Sequence, residues 1–338
     1  MQKAPVYTII KNILSPPAHC ATSPRLLRRL FGINYMKVFT SLDEFAKTEY
    51  HTSVALGFFD GVHLGHQAVI KSAVKNSGSL CSAVLTFSES PAKILTGCAP
   101  PLLMTNELKQ KYCEVSGVDA LIFADFSSLR DYSPQEFVGI ILKEKLRAEK
   151  VFCGFNYHFG SKGAGDTDAL SSLCARHGIE VQVSDPVYYE GEVISSTRIR
   201  SCLSQGDMKR VRAMLGRPYI LSGKVSQGNR IGSALGFPTL NFEIDPSCSV
   251  PRYGVYASWV MINSRFYKGA TNLGVHPSVK ENATPLCETF LLDFEGGDLY
   301  DAEVFCQLRR FIRPEKKFSS LEELQEQVQN DIKTISRV

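Results

Sequence analysis

No apolar run in this chain approaches the ~18 residues that a bilayer-spanning helix requires. At 44% hydrophobic and 21% charged residues, the composition is that of a soluble globular protein, which argues against a membrane partner. Ten cysteines occur, at 20, 81, 98, 113, 153, 174, 202, 248, 287 and 306, yet no two form a Cys-x-x-Cys pair. That scatter excludes a stapled secreted scaffold and reads as reduced thiols in a cytosolic, cytoplasmic chain. Acidic residues are absent from residues 1–35, which carry Lys3, Lys11, Arg25, Arg28 and Arg29. The overall charge of +4 therefore misleads: from Met36 onward there are 33 basic and 34 acidic residues. No basic footprint for nucleic acid is left. Internal repeats and low-complexity tracts are missing too.

The first 35 residues contain Pro-Pro and lack the continuous apolar core of a secretory signal. They are expected to be a disordered basic extension with no role in catalysis. Met36, opening MKVFTSLDEF, reads as the start of the folded chain and as an alternative initiator. A length of 338 residues favours two domains, each with its own core.

From Ser53 to about Val183, strand-like runs alternate with helix-period segments: SVALGFF and HQAVIKSAVK, SAVLTF and NELKQKYCEVSG, ALIFADF and SPQEFVGIILKEKLR, KVFCGF and TDALSSLCARHG, then IEVQVS. This alternation predicts βαβ crossovers and a parallel, doubly wound α/β domain. Ser133, Pro134 and Glu136 form a helix start, with a capping hydroxyl and a proline in the first turn. Past Leu215 the pattern changes to short β runs, YILSGKV, TLNFEI, GVYASWVMI, RFYKGAT, ETFLLDF and AEVFCQL, before one last helix, SLEELQEQVQNDIKTI. A small barrel closed by a C-terminal helix is expected there.

Residues 57–66, GFFDGVHLGH, join the first strand to its helix. In a parallel sheet this is where ligands bind, facing helix N-termini whose unpaired N–H groups suit phosphate. Gly57, Gly61 and Gly65 permit a tight path and close backbone approach, and His63 and His66 can donate to a phosphate oxygen. A metal site lacks a third ligand at matching spacing, and a capping turn with incidental histidines stays open for the motif by itself. SSTRIR at 195–200 sets hydroxyls and two guanidiniums at a helix start, chemistry suited to the β- and γ-phosphates of a triphosphate or to a solvated surface helix. Between them, CGFNYHFGSKGAGD places Asn156 and a glycine-rich tail after another strand. In the barrel half, GKVSQGNRIGSALGFPTLN offers a glycine-rich loop with a threonine, either a phosphate and magnesium site or a hairpin loop.

Taken together, GFFDGVHLGH, GFNYHFG, ISSTRIRSCLSQGD and GFPTLN resemble the bacterial bifunctional riboflavin kinase/FAD synthetase family, over about Met36 to Asp331. The resemblance implies a Rossmann-like nucleotidyltransferase domain at 36–214, followed by a six-stranded riboflavin-kinase β-barrel at 215–338. It implies two reactions: ATP phosphorylates riboflavin to FMN in the barrel, and FMN is adenylylated to FAD, releasing pyrophosphate, in the first domain. Retention of one activity alone, or flavin and nucleotide binding without turnover, are the alternatives. By the same resemblance Glu288 is the kinase base, and Thr239 and Asn241 hold Mg²⁺ or another divalent cation. Gly57, Phe59, Asp60, Gly61, Gly65, Asn156, Ser196, Thr197 and Arg198 would meet ATP in the first domain, with His63 and His66 at its α-phosphate. Gly223, Gly228, Gly236, Pro238, Thr239 and Asn241 would meet it in the barrel. Phe237, Tyr253, Phe290 and Phe294 are candidates for the flavin slot. The chain departs from the family pattern at FSESP, where Ser90 replaces a histidine and Glu89 a proline, and at Ser233, Ser278 and Phe290.

Overall fold

The computed structural model describes residues 36–226, 239–275, 284–294, 299 and 301–337. Packing divides the described chain into two units, one of residues up to Pro100 with Asn106–Ser195, the other of Pro101–Thr105 with Ser196 onward. No helix among the described residues is long and apolar enough to cross a membrane.

In the first unit six strands, β1 (Lys37–Phe39), β2 (Thr52–Leu56), β3 (Cys81–Phe87), β4 (Ala120–Ala124), β5 (Ala148–Gly154) and β6 (Glu180–Ser184), form one sheet in the order β1-β4-β3-β2-β5-β6. Every pairing is parallel. Helices α1 (Leu42–Ala46), α2 (Leu64–Lys75), α3 (Pro91–Thr96), α4 (Asn106–Val115), α5 (Phe126–Leu129), α6 (134–145) and α7 (Thr167–Arg176) lie in the connections. Strand β2 is buried at all five positions, as a central strand covered on both faces must be. Its two hydroxyls are satisfied: Thr52 donates to the Leu146 carbonyl at 2.9 Å and Ser53 to that of Ala73 at 2.8 Å. Ser133 and Glu136 make a reciprocal capping box at the start of α6.

From Phe137 to Lys145 that helix winds in π form, where the sequence period predicts an ordinary α-helix. Phe137, Val138, Ile141, Leu142 and Leu146 all reach the core, and the Leu146 amide donates to the carbonyl of Ile141, five residues earlier, at 3.0 Å. A two-strand hairpin, β7 (Tyr188–Tyr189) and β8 (Glu192–Val193), precedes the second unit.

The second unit opens with α8 (Ser196–Gln205) and α9 (Met208–Leu215). Six strands follow, β9 (Tyr219–Lys224), β10 (Thr239–Glu243), β11 (Gly254–Ile262), β12 (Arg265–Val275), β13 (Pro285–Leu291) and β14 (Glu303–Arg313), before α10 (Leu321–Ile335). The antiparallel sheet runs β10-β13-β12-β11-β14-β9. It curls until its edges meet, the Ser226 amide donating to the Asn241 carbonyl at 2.8 Å. Gly223 sits under the Phe242 ring, where an added Cβ would lie 2.5 Å from a ring carbon. The interior is not purely apolar: Ser258, Thr271 and Thr289 link hydroxyl to hydroxyl at 2.7 and 2.8 Å. Burial pushes the neighbouring Cys287 thiol well above its ordinary value.

Helix α10 is tied to the barrel by one buried ion pair. Asp331 accepts from Arg313 Nη2 at 2.8 Å and from Nε at 3.0 Å, with Gln327 donating at 3.0 Å. Asp331→Ala strands a largely buried guanidinium, and the expected cost is about 2–4 kcal/mol, read as a lower urea midpoint of the barrel transition.

Candidate active sites

Strand order fixes where the first site must be. From β2 the chain builds outward through β3 and then β4, and only later crosses to β5 on the other side of β2. The crevice beyond the carboxyl ends of β2 and β5 is thus the topological switch point. GFFDGVHLGH leaves β2 there, and Gly154, Phe155 and Asn156 leave β5, with Asn156 exposed.

After Gly57 the backbone turns through left-handed conformations at Phe59 (φ 54°), Gly61 (φ 76°) and Val62 (φ 39°). For Phe and Val this is unfavourable, and burial holds it: Phe59 is 2% and Val62 0% exposed. Asp60 is also buried. His63 then caps α2, its Nδ1 accepting the His66 amide at 3.4 Å. An imidazole nitrogen that accepts carries no proton, so the neutral ring bears its N–H on Nε2. The two imidazoles stack with centroids 3.6 Å apart, and Phe59 meets His66 edge-on at 5.4 Å. Gly65 makes room for this, since an added Cβ would lie 3.2 Å from the His63 ring. No cluster of three or more His, Cys, Asp or Glu suited to a metal ion occurs among the described residues.

In SSTRIR, Ser196, Thr197 and Arg198 form the first turn of α8 and belong to the second packing unit. Arg200 Nε donates to the Pro101 carbonyl at 2.7 Å, a bond that engages one of the five N–H donors of its guanidinium. In FSESP, Ser90 begins α3, and Glu89 pairs with Lys93 at 3.6 Å on the surface.

The barrel site follows from strand alternation. Asn241 and Asn272 both stand opposite Glu288, on the two strands flanking β13. Residues two apart share a face, so Thr239, Asn241, Asn272 and Glu288 lie together, away from the buried hydroxyl chain of Thr271 and Thr289. Thr239 Oγ1 donates to Glu288 Oε1 at 2.9 Å, and Asn241 Nδ2 reaches Thr239 Oγ1 at 3.4 Å. Donation to Glu288 uses the threonine proton and leaves an oxygen lone pair for a cation.

Two family models match this chain, one described as FAD synthetase over residues 45–198 and one as riboflavin kinase over 215–338. A bifunctional riboflavin kinase/FMN adenylyltransferase of Listeria monocytogenes is 35% identical over 84% of this chain and 91% of its own length. The chain belongs to the bifunctional riboflavin kinase/FMN adenylyltransferase family. A relative of the same description from Pseudomonas fluorescens is 32% identical over 85% of this chain and 93% of its own. Among solved structures, a Streptococcus pneumoniae protein described as a macrolide-efflux protein superposes with a TM-score of 0.79 at 29% identity, covering 90% of this chain and 99% of that one.

Within the kinase half, Gly228, Gly236 and Pro238 lie outside the described residues, as do Ser233, Phe237 and Ser278. Gly223 is described, packed beneath Phe242 in β9. Of the flavin candidates, Tyr253 is 39% exposed, Phe290 stands opposite Thr239, and Phe294 packs edge-on to Tyr267 at 5.2 Å. Asn272 was missed by sequence reading, as was Glu315, whose carboxylate packs against Gly274 on the same face of β12. Alternation along RFYKGATNLGV could have found Asn272; Glu315 lies outside the strands and left no periodic signal.

In the adenylyltransferase half, Gly65→Ala separates geometry from stability. The methyl group forces the His63 ring back by a few tenths of an ångström, and FAD formation from FMN is expected to fall about 10-fold. Helix α2 loses a glycine, so the thermal midpoint should stay level or rise, by up to about 1 kcal/mol in stability.

Proposed function

We propose that the two activities of the family are divided between residues 36–214, which adenylylate FMN at the His63–His66 turn, and residues 215–338, which phosphorylate riboflavin at the Thr239–Glu288 pair. The observation that carries the assignment is the pairing of geometries. One site is an imidazole-bearing helix start at a sheet switch point, suited to a phosphate; the other is a carboxylate on a barrel face beside a hydroxyl. ATP serves both steps, as γ-phosphoryl donor and as adenylyl donor. The near-balance of charge beyond Met36 supports small-molecule substrates rather than nucleic acid or an anionic membrane surface. The nine described cysteines, all free thiols, support a reducing, cytoplasmic setting.

In the barrel, Glu288 takes the proton from the ribityl 5′-hydroxyl as its oxygen attacks the γ-phosphorus of ATP, and ADP leaves. Glu288 already accepts a hydrogen bond from Thr239 at 2.9 Å, which fixes its rotamer on the open face of β13. A hydroxyl, a carboxamide and a carboxylate make a hard-oxygen donor set of the kind that suits Mg²⁺. Thr239 and Asn241 would hold the ion, which when bound offsets the charge of the phosphates. Catalysis by these residues is then mostly positioning and charge stabilisation.

In the α/β unit, an FMN phosphate oxygen attacks the α-phosphorus of ATP, forming the new P–O bond as pyrophosphate leaves. This nucleophile is already an anion and no base is required. The need is for donors aimed at the charge growing on the α-phosphate. His63 and His66, at the first turn of α2, supply them. Asn156 follows β5 at the same switch point. The FAD synthetase match over 45–198 includes Ser196, Thr197 and Arg198, which supports assigning them to nucleotide phosphates.

His66→Ala is expected to slow FAD formation from FMN by about 10²–10³-fold and to leave riboflavin phosphorylation within a factor of two. Glu288→Gln should do the reverse, lowering FMN formation by about 10²–10⁴-fold while supplied FMN is still converted to FAD. Separation of products by chromatography reads both; FAD formation undiminished in His66→Ala would refute the histidine assignment.

A further inference from the structure

Helix α4 turns Leu108, Lys109, Tyr112 and Cys113 inward, and Lys109 is 2% exposed. A lysine so deep must spend its protons on acceptors or lose its charge. Its ammonium donates to the Phe58 carbonyl at 3.0 Å, to Thr86 Oγ1 at 3.4 Å and to the Phe87 carbonyl at 3.4 Å. Three acceptors match its three N–H bonds. Thr86 also donates to the Phe58 carbonyl, at 2.9 Å, and the ammonium lies over the Phe58 ring at 4.7 Å and the Phe123 ring at 5.9 Å.

These acceptors belong to the loop leaving β2, at Phe58, and to the carboxyl end of β3, at Thr86 and Phe87. Phe58 begins the left-handed turn that ends at His63, and Phe87 begins FSESP. One buried cation thus joins the two strand ends beside the histidine pair. We propose that Lys109 is a positioning residue for adenylyl transfer, its ammonium holding the Phe58–Asp60 turn and, through it, His63 and His66 against the end of the sheet. This rests on the assignment of the two histidines to that step.

Burial pushes Lys109 down to about 8. The charged and titratable groups facing it are Asp60, on the turn it holds, and Cys113, one helical turn along α4, and both favour its charged form. The Cys113 thiol is itself pushed up by burial to about 12. Phe58, Thr86 and Phe123 are uncharged. FAD formation should therefore fall as pH rises through about 8. Stability should move the other way. Between that pH and the ordinary lysine value of 10.5 the unfolded chain holds a proton that the folded one has released, so this group's contribution to stability rises with pH.

The test uses the full chain with Lys109→Met and Lys109→Arg, assayed with FMN plus ATP and, separately, with riboflavin plus ATP. Lys109→Met should lose on the order of 100-fold in kcat for FAD formation, with riboflavin phosphorylation unchanged and its high-pH limb flat. Lys109→Arg should regain part of the rate and move the limb beyond pH ~10, since guanidinium does not deprotonate there. A Lys109→Met rate within about threefold of the parent, or the same fall near pH 8 in that variant, overturns the proposal. If Lys109→Met does not fold, Lys109→Arg decides: a reduced rate with the high-pH limb moved beyond pH ~10 supports the proposal, and the parent's rate with the parent's limb overturns it. A parallel His66→Ala protein that keeps full FAD formation removes the histidine assignment instead, which separates the two failures.

Discussion

The turn between β2 and α2 is the constraint on which the proposed adenylyl-transfer site depends. Its backbone passes through left-handed conformations at Phe59, Gly61 and Val62, two of which are residues that ordinarily avoid them. What holds them is burial of the Phe59 and Val62 side chains, each at 2% exposure or less. Because the turn is fixed from inside, His63 arrives as the cap of α2 with Nδ1 already engaged, and its Nε2–H is set by that bond rather than by solvent. The stacked His66 shares the same small volume, packed against the edge of Phe59.

The barrel reaches a comparable result by a different route. Each strand sorts its residues between two faces, and the register of β10, β12 and β13 sets Asn241, Asn272 and Glu288 side by side. The opposite face carries the hydroxyl chain of Ser258, Thr271 and Thr289 and the buried thiols of Cys287 and Cys306. A slip of one residue in β13 would exchange Glu288 with Cys287 or Thr289, losing the site and burying a carboxylate. The face proposed for catalysis and the core thus specify the same register.

Much of this was legible in the chain because it is local. Alternating apolar runs located five of the six parallel strands and all six barrel strands, missing β1 (Lys37–Phe39), setting β13 three residues late and ending β12 and β14 early, and Ser133-Pro134-Gln135-Glu136 announced the capping box found in α6. The glycines of GFFDGVHLGH marked the sheet-end loop. What escaped depends on distant partners or on side-chain fit. The π winding of 137–145 left no signal in the helical spacing of its apolar residues. The bond from Arg200 Nε to a carbonyl about a hundred residues earlier left no local signal. Lys109 drew no reading of its own within NELKQKYCEVSG, although its place among Leu108, Tyr112 and Cys113 on one apolar stripe was the available signal. Glycines at Phe59 and Val62 would have advertised the left-handed turn; bulky residues concealed it.

The central claim is that His63 and His66 present preset N–H donors to the α-phosphate of ATP. Long-range ¹H–¹⁵N spectra of histidine-labelled protein, with and without a non-hydrolysable ATP analogue, test it directly. The account predicts a His63 ring protonated at Nε2 and not at Nδ1 before ligand is added, with the Nε2–H signals of both rings shifting on binding and no change of tautomer. A His63 ring protonated at Nδ1, or rings whose signals do not move when the analogue saturates the protein, would contradict it.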